Sequence, residues 1–117
     1  MKALWTLLLA SSLSGMAAAQ TGAYGAIAMN KNNGHFGWSV GQVSSQAAEQ
    51  VALQNCSGPC NPMVWWAHGC GALVRGGNRS YATGIAPSRS AAERQALGRC
   101  PAGPCVVVLS RCSGNAR

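Results

Sequence analysis

Four side chains in this sequence could act as acid–base catalysts near neutral pH: His35, Glu49, His68 and Glu93. The chain has 117 residues and no aspartate. It therefore has no Asp-based calcium loop, no Ser-His-Asp triad and no paired-aspartate acid site. No serine stands in a Gly-x-Ser-x-Gly motif, and no glycine pattern resembles a dinucleotide or phosphate loop. The residue types therefore favour a protein that is not an enzyme.

The two glutamates recur at the same place in two similar segments, Ala47-Ala-Glu49 and Ala91-Ala-Glu93. Such a pair could flank a glycosidic bond, but repeated carboxylates on helix surfaces are the simpler interpretation. His35 follows an Asn-Gly turn, which favours a solvated hairpin residue. His68 ends an apolar segment, and a hydrolase that uses His68 with a nearby serine is the enzymatic alternative.

Cysteine is the other residue type that could carry chemistry, as a nucleophile, a zinc ligand or a disulfide. The chain has six: Cys56, Cys60, Cys70, Cys100, Cys105 and Cys112. Two of their spacings are looser than the C-x-x-C pattern of zinc sites, and an even number that pairs leaves no free thiolate. We expect disulfides, with no metal and no other cofactor. Six cysteines allow about 15 pairings, and sequence alone does not choose between them.

The first 19 residues have the three parts of a secretory signal peptide. Met1-Lys2 is a positive start, residues 3–10 are apolar, and Ala17-Ala-Ala19 is a small-residue cleavage site. We expect cleavage after Ala19, a single domain over residues 20–117 and no membrane span in the mature chain. The mature protein would be secreted or periplasmic, where disulfides persist.

An internal repeat organises the mature chain. Ser44–Cys56 and Ser88–Cys100 match at seven of thirteen positions with a constant offset of 44 residues. Each copy is predicted to run strand, strand, helix, strand. The predicted fold is α+β: two β-β-α-β repeats, about 24–69 and 70–112, that form one small, mostly antiparallel sheet domain with two helices and disulfide staples.

Turn and cap signals support these elements. Asn33-Gly34 predicts a hairpin between strands over 24–29 and 36–40. Ser44 or Ser45 can cap the first helix, and Ser88 or Ser90 the second, where Ser90-x-x-Glu93 has the form of a capping box. Third strands are predicted over 63–68 and 106–109. Alanine stripes let each helix lie close to a sheet, and they comprise Ala48, Ala52, Ala92 and Ala96.

The repeat also suggests how the cysteines pair. Cys56–Cys60 and Cys100–Cys105 would each tie a helix end to the strand that follows. Cys70–Cys112 would join one copy to the other.

The order of these motifs resembles the domain-of-unknown-function family 4189, a group of small exported, mainly bacterial proteins. The residues that carry the resemblance span the mature chain, and they are Tyr24-Gly-Ala-Ile-Ala28, Gly37-Trp-Ser39, Ala47-Ala-Glu49, Ala52-Leu53, Cys56, Cys70-Gly-Ala-Leu73, Ala91-Ala-Glu93, Ala96-Leu97, Cys100, Cys105-Val-Val107 and Cys112. The resemblance implies export and a disulfide-rich repeat fold. It implies no activity and no catalytic residue.

Charge distinguishes the two copies. From Gln20 to Cys70 the only charged residues are Lys31 and Glu49, so this part is neutral. From Gly71 onward, seven arginines stand against Glu93, which gives +6. Such asymmetry indicates an anionic partner, although a basic face can also serve solubility alone. The candidate binding arginines are Arg75, Arg79, Arg89, Arg94, Arg99 and Arg111.

Two adjacent tryptophans, Trp65 and Trp66, are further candidate binding residues. On a strand they point to opposite faces, so one can fill the core while the other is exposed. An exposed tryptophan suits contact with sugar or protein. We expect Trp38 to be a core residue.

These observations favour an exported, non-catalytic binding module. Its Arg-rich second repeat would engage an anionic envelope polymer, a lipid headgroup or an acidic protein. Nucleic acid is not the expected partner because no binding motif for it is present. The alternative is a periplasmic inhibitor or immunity-type protein that blocks a secreted toxin or hydrolase.

Overall fold

The computed structural model describes residues 22–117, which form six strands and two helices. In chain order these are β1 (Tyr24–Met29), β2 (Phe36–Gln42), α1 (Ser45–Gln54), β3 (Asn61–Ala67), β4 (Cys70–Arg75), β5 (Tyr81–Ala86), α2 (Arg89–Gly98) and β6 (Val106–Cys112). The order strand, strand, helix, strand occurs twice, so the predicted α+β repeat fold is confirmed. The predicted signal peptide, residues 1–19, lies outside the described residues.

Each repeat builds its own antiparallel sheet of three strands. The first has the order β2-β1-β3 and the second β5-β4-β6, so the strands form two sheets. Their pairing is equivalent, because Tyr24 is opposite Ala67 in the first sheet and Cys70 is opposite Cys112 in the second. A register shift also falls at the same step of both central strands. Sequence equivalence between the repeats is therefore structural equivalence.

The two sheets pack face to face, and each helix covers the outer face of its own sheet. Alternation along β1 sends Ile27 and Met29 to the interface between the sheets, where they join Trp66, Leu73 and Leu109. The intervening alanines of β1 pack against α1 instead. The molecule thus has four layers, helix, sheet, sheet and helix, with its largest apolar side chains in the middle.

Both helices sit close to their sheets because they present alanine there. The alanine stripes on α1 and α2 are fully buried. The caps are Ser44 and Ser88, whose hydroxyls accept hydrogen bonds from Ala47 N and Ala91 N at 3.1 and 3.3 Å. Ser90 lies inside α2, so the predicted capping box with Glu93 is wrong.

All six cysteines form disulfides, in the pairs suggested by the repeat: Cys56–Cys60, Cys70–Cys112 and Cys100–Cys105. The prediction that Cys70–Cys112 joins the two copies is wrong. Cys70 begins β4, because the chain turns sharply at His68, and Cys112 is opposite it on β6. This bridge therefore staples the second sheet internally. Three disulfides are typical of an exported chain in an oxidising environment.

Candidate functional site

The structure separates the four acid–base side chains. Glu49 lies on α1 and Glu93 on α2, and the two sheets stand between these helices. Sheets stack at about 10 Å from one another, so the two carboxylates cannot flank one glycosidic bond at the roughly 5–9.5 Å that hydrolysis requires. Glu93 accepts a hydrogen bond from Ser110 Oγ at 2.6 Å. That contact joins α2 to β6 and gives Glu93 a structural task.

His68 is exposed and adopts left-handed backbone at φ 52°. The nearby Ser113 is buried, and its Oγ has no hydrogen-bond partner among the described residues. A histidine base must be within hydrogen-bond reach of its serine, at about 2.6–3.2 Å. Residues 22–117 contain no such His–Ser hydrogen bond.

The hairpin turns and the two short disulfide loops meet at one end of the molecule, which we call the turn end (residues 30–35, 56–60, 75–80 and 99–105). A Cβ at Gly34 would lie 3.2 Å from Tyr81 Oη, so the first hairpin turn reaches the second repeat. Gly77 N donates to Ala102 O at 2.7 Å and joins the second turn to its disulfide loop. The turn end therefore includes backbone from both repeats.

Cations collect at the turn end. Arg75 closes β4, Arg79 lies in the following turn with φ 57°, and Arg99 caps α2. Lys31 adds a fourth positive charge from the first hairpin turn, and the turn-end segments contain no acidic residue. Arg75, Arg79 and Lys31 are exposed. Like charges at one end of the molecule create a positive potential that attracts anions.

The other candidate arginines are placed differently. Arg89 and Arg111 both donate to Ser110 O, at 2.6 and 2.9 Å, on the edge of the second sheet. The Arg111 guanidinium also lies 4.4 Å above the ring of Trp38, which is half-buried against the core. Arg94 is exposed on α2, between the two buried alanines. Arg75 and Arg79 thus stand exposed at the turn end. Arg99 begins there as well, but like Arg89 and Arg111 it donates to a strand carbonyl, that of Thr83, at 3.3 Å.

The two adjacent tryptophans point to opposite faces, as predicted. Trp66 is 3% exposed and Trp65 is 45% exposed. Trp66 fills the space above Gly25 and Gly71, where a Cβ would collide with its ring. Because it packs in the core, Trp66 cannot be a surface binding residue, whereas Trp65 remains one.

Trp65 borders a groove of about 610 Å³ between β3 and the end of β5. Met63, Ile85 and Pro87 line it with Trp65, and His68 stands at its rim. The groove is largely apolar and carries no carboxylate or guanidinium. It is the second candidate surface, distinct from the turn end in both place and chemistry.

In the sequence Lys31 is counted with the neutral first copy, but in the fold it lies at the turn end with the arginines of the second copy. The repeat could have indicated this placement, because residues 31–34 and 76–80 are the equivalent hairpin turns of the two copies and both lie at the turn end. The groove has no comparable signal, since Met63 and Ile85 come together only through the stacking of the two sheets.

No helix of the described residues is long and apolar enough to cross a membrane. Residues 22–117 also contain no group of three or more His, Cys or Glu side chains placed to hold a metal ion. The cysteines that zinc would need as thiolates are in disulfides.

No curated protein and no solved structure matches the chain. One family model does, over residues 24–112, which covers both repeats and all three disulfides. Its description is "Domain of unknown function (DUF4189)". The chain therefore belongs to the DUF4189 family.

Proposed function

We propose that the protein is an exported, non-catalytic binding module that engages an anionic component of the cell envelope through its turn end. The observation that carries this proposal is that Arg75, Arg79, Arg99 and Lys31 belong to the turn end, whose segments contain no acidic residue. Arginine suits this task because its planar guanidinium binds phosphate and carboxylate with two hydrogen bonds. Rigid disulfide loops behind the cluster would hold the cations in place at little entropic cost.

The partner class follows from the charge and the compartment. An exported protein meets anionic polymers, lipid headgroups and acidic proteins, all of which present phosphate or carboxylate groups. We propose that binding depends on charge density rather than on a deep pocket, because all four cations are exposed at the surface of the turn end. Such binding weakens as the salt concentration rises.

The test compares two variants of equal net charge. The first carries Arg75→Gln, Arg79→Gln and Arg99→Gln at the turn end. The matched control carries Gln46→Glu, Gln50→Glu and Gln54→Glu on the exposed side of α1, and it lowers the net charge by the same three units. At low salt we expect the arginine variant to bind the envelope fraction about 100-fold more weakly than wild type, and the control to stay within about tenfold. Equal losses of binding in both variants would mean that binding depends on the net charge of the protein and not on the cations of the turn end.

A second candidate function is inhibition of a secreted toxin or hydrolase, and the groove at Trp65 supports it. Half-exposed tryptophan beside apolar side chains is a common anchor of protein interfaces. Under this candidate, a partner protein would co-purify with wild type and be lost in Trp65→Ala. It would be retained in the arginine variant.

A further inference from the structure

Exposed large apolar side chains collect at two places on the described surface. Trp65 and Ile85 border the groove, which carries no carboxylate or guanidinium. Three aliphatic side chains lie instead in the second repeat near the turn end. We call them the aliphatic strip, and they are Leu97, Val106 and Val107, which are 39%, 49% and 39% exposed. Apolar surface left open beside polar residues is typical of a site that contacts a protein or a membrane.

The Cys100–Cys105 bridge brings the members of the aliphatic strip together. The Cα atoms of these two cysteines are 6.4 Å apart, so the end of α2 lies beside the beginning of β6. Leu97 is one helical turn after Glu93, whose carboxylate accepts a hydrogen bond from Ser110 on β6. Residues four apart share a helix face, so Leu97 is directed towards the same strand. Because α2 runs towards the turn end and β6 runs away from it, the part of β6 beside Leu97 is its beginning, where the two valines stand.

The first repeat has different residues at the positions of the two valines. Equal register assigns Asn61 and Pro62 to these positions. Pro62 lines one hollow with Leu53, the helix residue equivalent to Leu97, which supports the same proximity in the second repeat. Leu53 is partly buried against the core cluster of its own repeat, whereas Leu97 is exposed. The aliphatic strip is thus specific to the second repeat, where the positive charge also lies.

Arginines border the aliphatic strip on both its strand side and its helix side. Arg75 is directly opposite Val106 in the second sheet, where the Cβ atoms of such a pair are about 4.5–5.5 Å apart. Arg94 is three residues before Leu97 on α2, so the two are neighbours on the helix surface. Both arginines are exposed. Glu93, the one acidic side chain of the second repeat, is engaged by a serine of β6.

We propose that the aliphatic strip inserts into the surface of an anionic phospholipid membrane while the neighbouring arginines bind its phosphate groups. This inference rests on the proposed function and names its partner class. Interfacial binding combines burial of apolar side chains at the boundary between headgroups and acyl chains with attraction between basic side chains and anionic lipids. Arginine suits this boundary because its stem packs against apolar surface while its guanidinium stays in water.

The composition of the strip favours lipid over the other anionic partners. A polar anionic polymer offers no apolar surface against which exposed valine and leucine side chains could be buried. Protein interfaces take most of their binding energy from tryptophan, tyrosine and arginine, and leucine and valine are under-represented among those residues. A strip that is aliphatic alone and bordered by arginines therefore matches the boundary of an anionic membrane.

The test compares two double variants of unchanged net charge on lipid vesicles. Val106→Thr with Val107→Thr makes the strip more polar and keeps the branched shape that strands favour. The control, Val43→Thr with Ile85→Thr, makes the same kind of change at residues outside the strip that are 58% and 41% exposed. On vesicles with about 30 mol% phosphatidylglycerol, we expect the strip variant to bind about tenfold more weakly than wild type. The control should bind as wild type does.

A probe that offers charge alone separates this inference from the proposed function. Both double variants should bind soluble poly(glycerol phosphate) as wild type does, because no charge has changed. Wild type that binds the polymer but not the vesicles, or a strip variant that binds vesicles like wild type or loses both probes equally, would overturn the membrane proposal and leave the proposed function standing. Wild type that binds neither probe would contradict both. Binding to an envelope fraction that is lost when its proteins are digested would identify an acidic protein as the partner and overturn the proposal.

Spin-labelled lipid chains provide a second readout that needs no substitution. In bicelles that contain phosphatidylglycerol and the spin label, the amide signals of Leu97, Val106 and Val107 should broaden, while those of Val43 and Ile85 should not. Broadening that is equal at all five residues, or that is absent from the strip, would overturn the proposal.

Discussion

The two repeats share one backbone plan but put different side chains at equivalent places. Where the second sheet has the Cys70–Cys112 bridge, the first has Tyr24 opposite Ala67. Arg111 occupies the place that Trp66 holds in the first repeat. The buried alanines of the helices recur without change. The fold therefore depends on small residues where helix meets sheet, and the other positions are free to make one copy aromatic and neutral and the other basic.

The sharpest contrast between equivalent positions is that of Trp66 and Arg111. Trp66→Ala removes a buried aromatic ring from between the sheets and should lower the free energy of unfolding by about 3–5 kcal/mol. Arg111→Ala loses one contact with the Trp38 ring and one hydrogen bond, worth about 1 kcal/mol together. Urea denaturation of both variants measures the difference. Equal losses would show that the interface between the sheets is not the main core.

The disulfides should also contribute unequally. Removing Cys70–Cys112, which closes a loop with a sequence separation of 42, should cost about 4 kcal/mol on the chain-entropy estimate. Removing Cys56–Cys60, with a separation of 4, should cost about 2 kcal/mol. The measurement is the midpoint of urea unfolding for each double-alanine variant. A larger loss from the short bridge would contradict the dependence on loop length.

Equivalent pairing can be tested by making the first repeat resemble the second. Tyr24 and Ala67 are opposite each other as Cys70 and Cys112 are, so Tyr24→Cys with Ala67→Cys should form a fourth disulfide. Its stabilisation should stay below about 4 kcal/mol because the Tyr24 contact with Trp65 is lost. Non-reducing mass spectrometry detects the bridge. Two free thiols in the folded variant would refute the equivalence.

The helix caps should behave alike in the two repeats. Ser44→Ala and Ser88→Ala each leave an amide of the first helical turn without its acceptor, and each should cost about 1 kcal/mol. Thermal unfolding of the two variants gives the comparison. A loss for Ser90→Ala that exceeds the loss for Ser88→Ala would contradict the observed cap.

The smallest expected effect has the opposite sign. Ser113 Oγ is buried without a hydrogen-bond partner among residues 22–117, and a buried hydroxyl without a partner costs free energy. Ser113→Ala should leave stability unchanged or raise it by up to about 1 kcal/mol. A clear loss in urea unfolding would show that the hydroxyl has a partner, such as a bound water.

Much of the fold could be predicted from the sequence because an element predicted in one repeat can be compared with its equivalent in the other. The stripe of Ala48 and Ala52 and the pair Cys56–Cys60 each have a second copy that agrees. What failed depended on tertiary placement. The expectation that Cys70–Cys112 links the two copies fails because the chain turns at His68, a residue with left-handed backbone, and Cys70 begins β4 in the same sheet as Cys112. Trp65 and Trp66 could be split between two faces, but only the stacking of the sheets decides which face is core.

The candidate site was less predictable than the fold. The charges in the sequence place the positive excess in the second repeat. They do not distinguish Arg75 from Arg89 and Arg111, whose side chains donate hydrogen bonds to Ser110 O at the edge of the second sheet. They also leave out Lys31, which the packing of the two hairpin turns brings to the same end as Arg75. The separation of two turns along the sequence does not show at which end of the stacked sheets each turn lies.

The central claim is that the basic turn end is the binding surface, and amide chemical shifts test it directly. The probe is soluble poly(glycerol phosphate), titrated into the isotope-labelled, oxidised protein at low salt. The account predicts that shifts concentrate in residues 75–80 and 99–105, with a smaller response at 30–35, and that added salt reverses them. Shifts confined to the groove around Trp65, or an absence of shifts at the turn end, would contradict it.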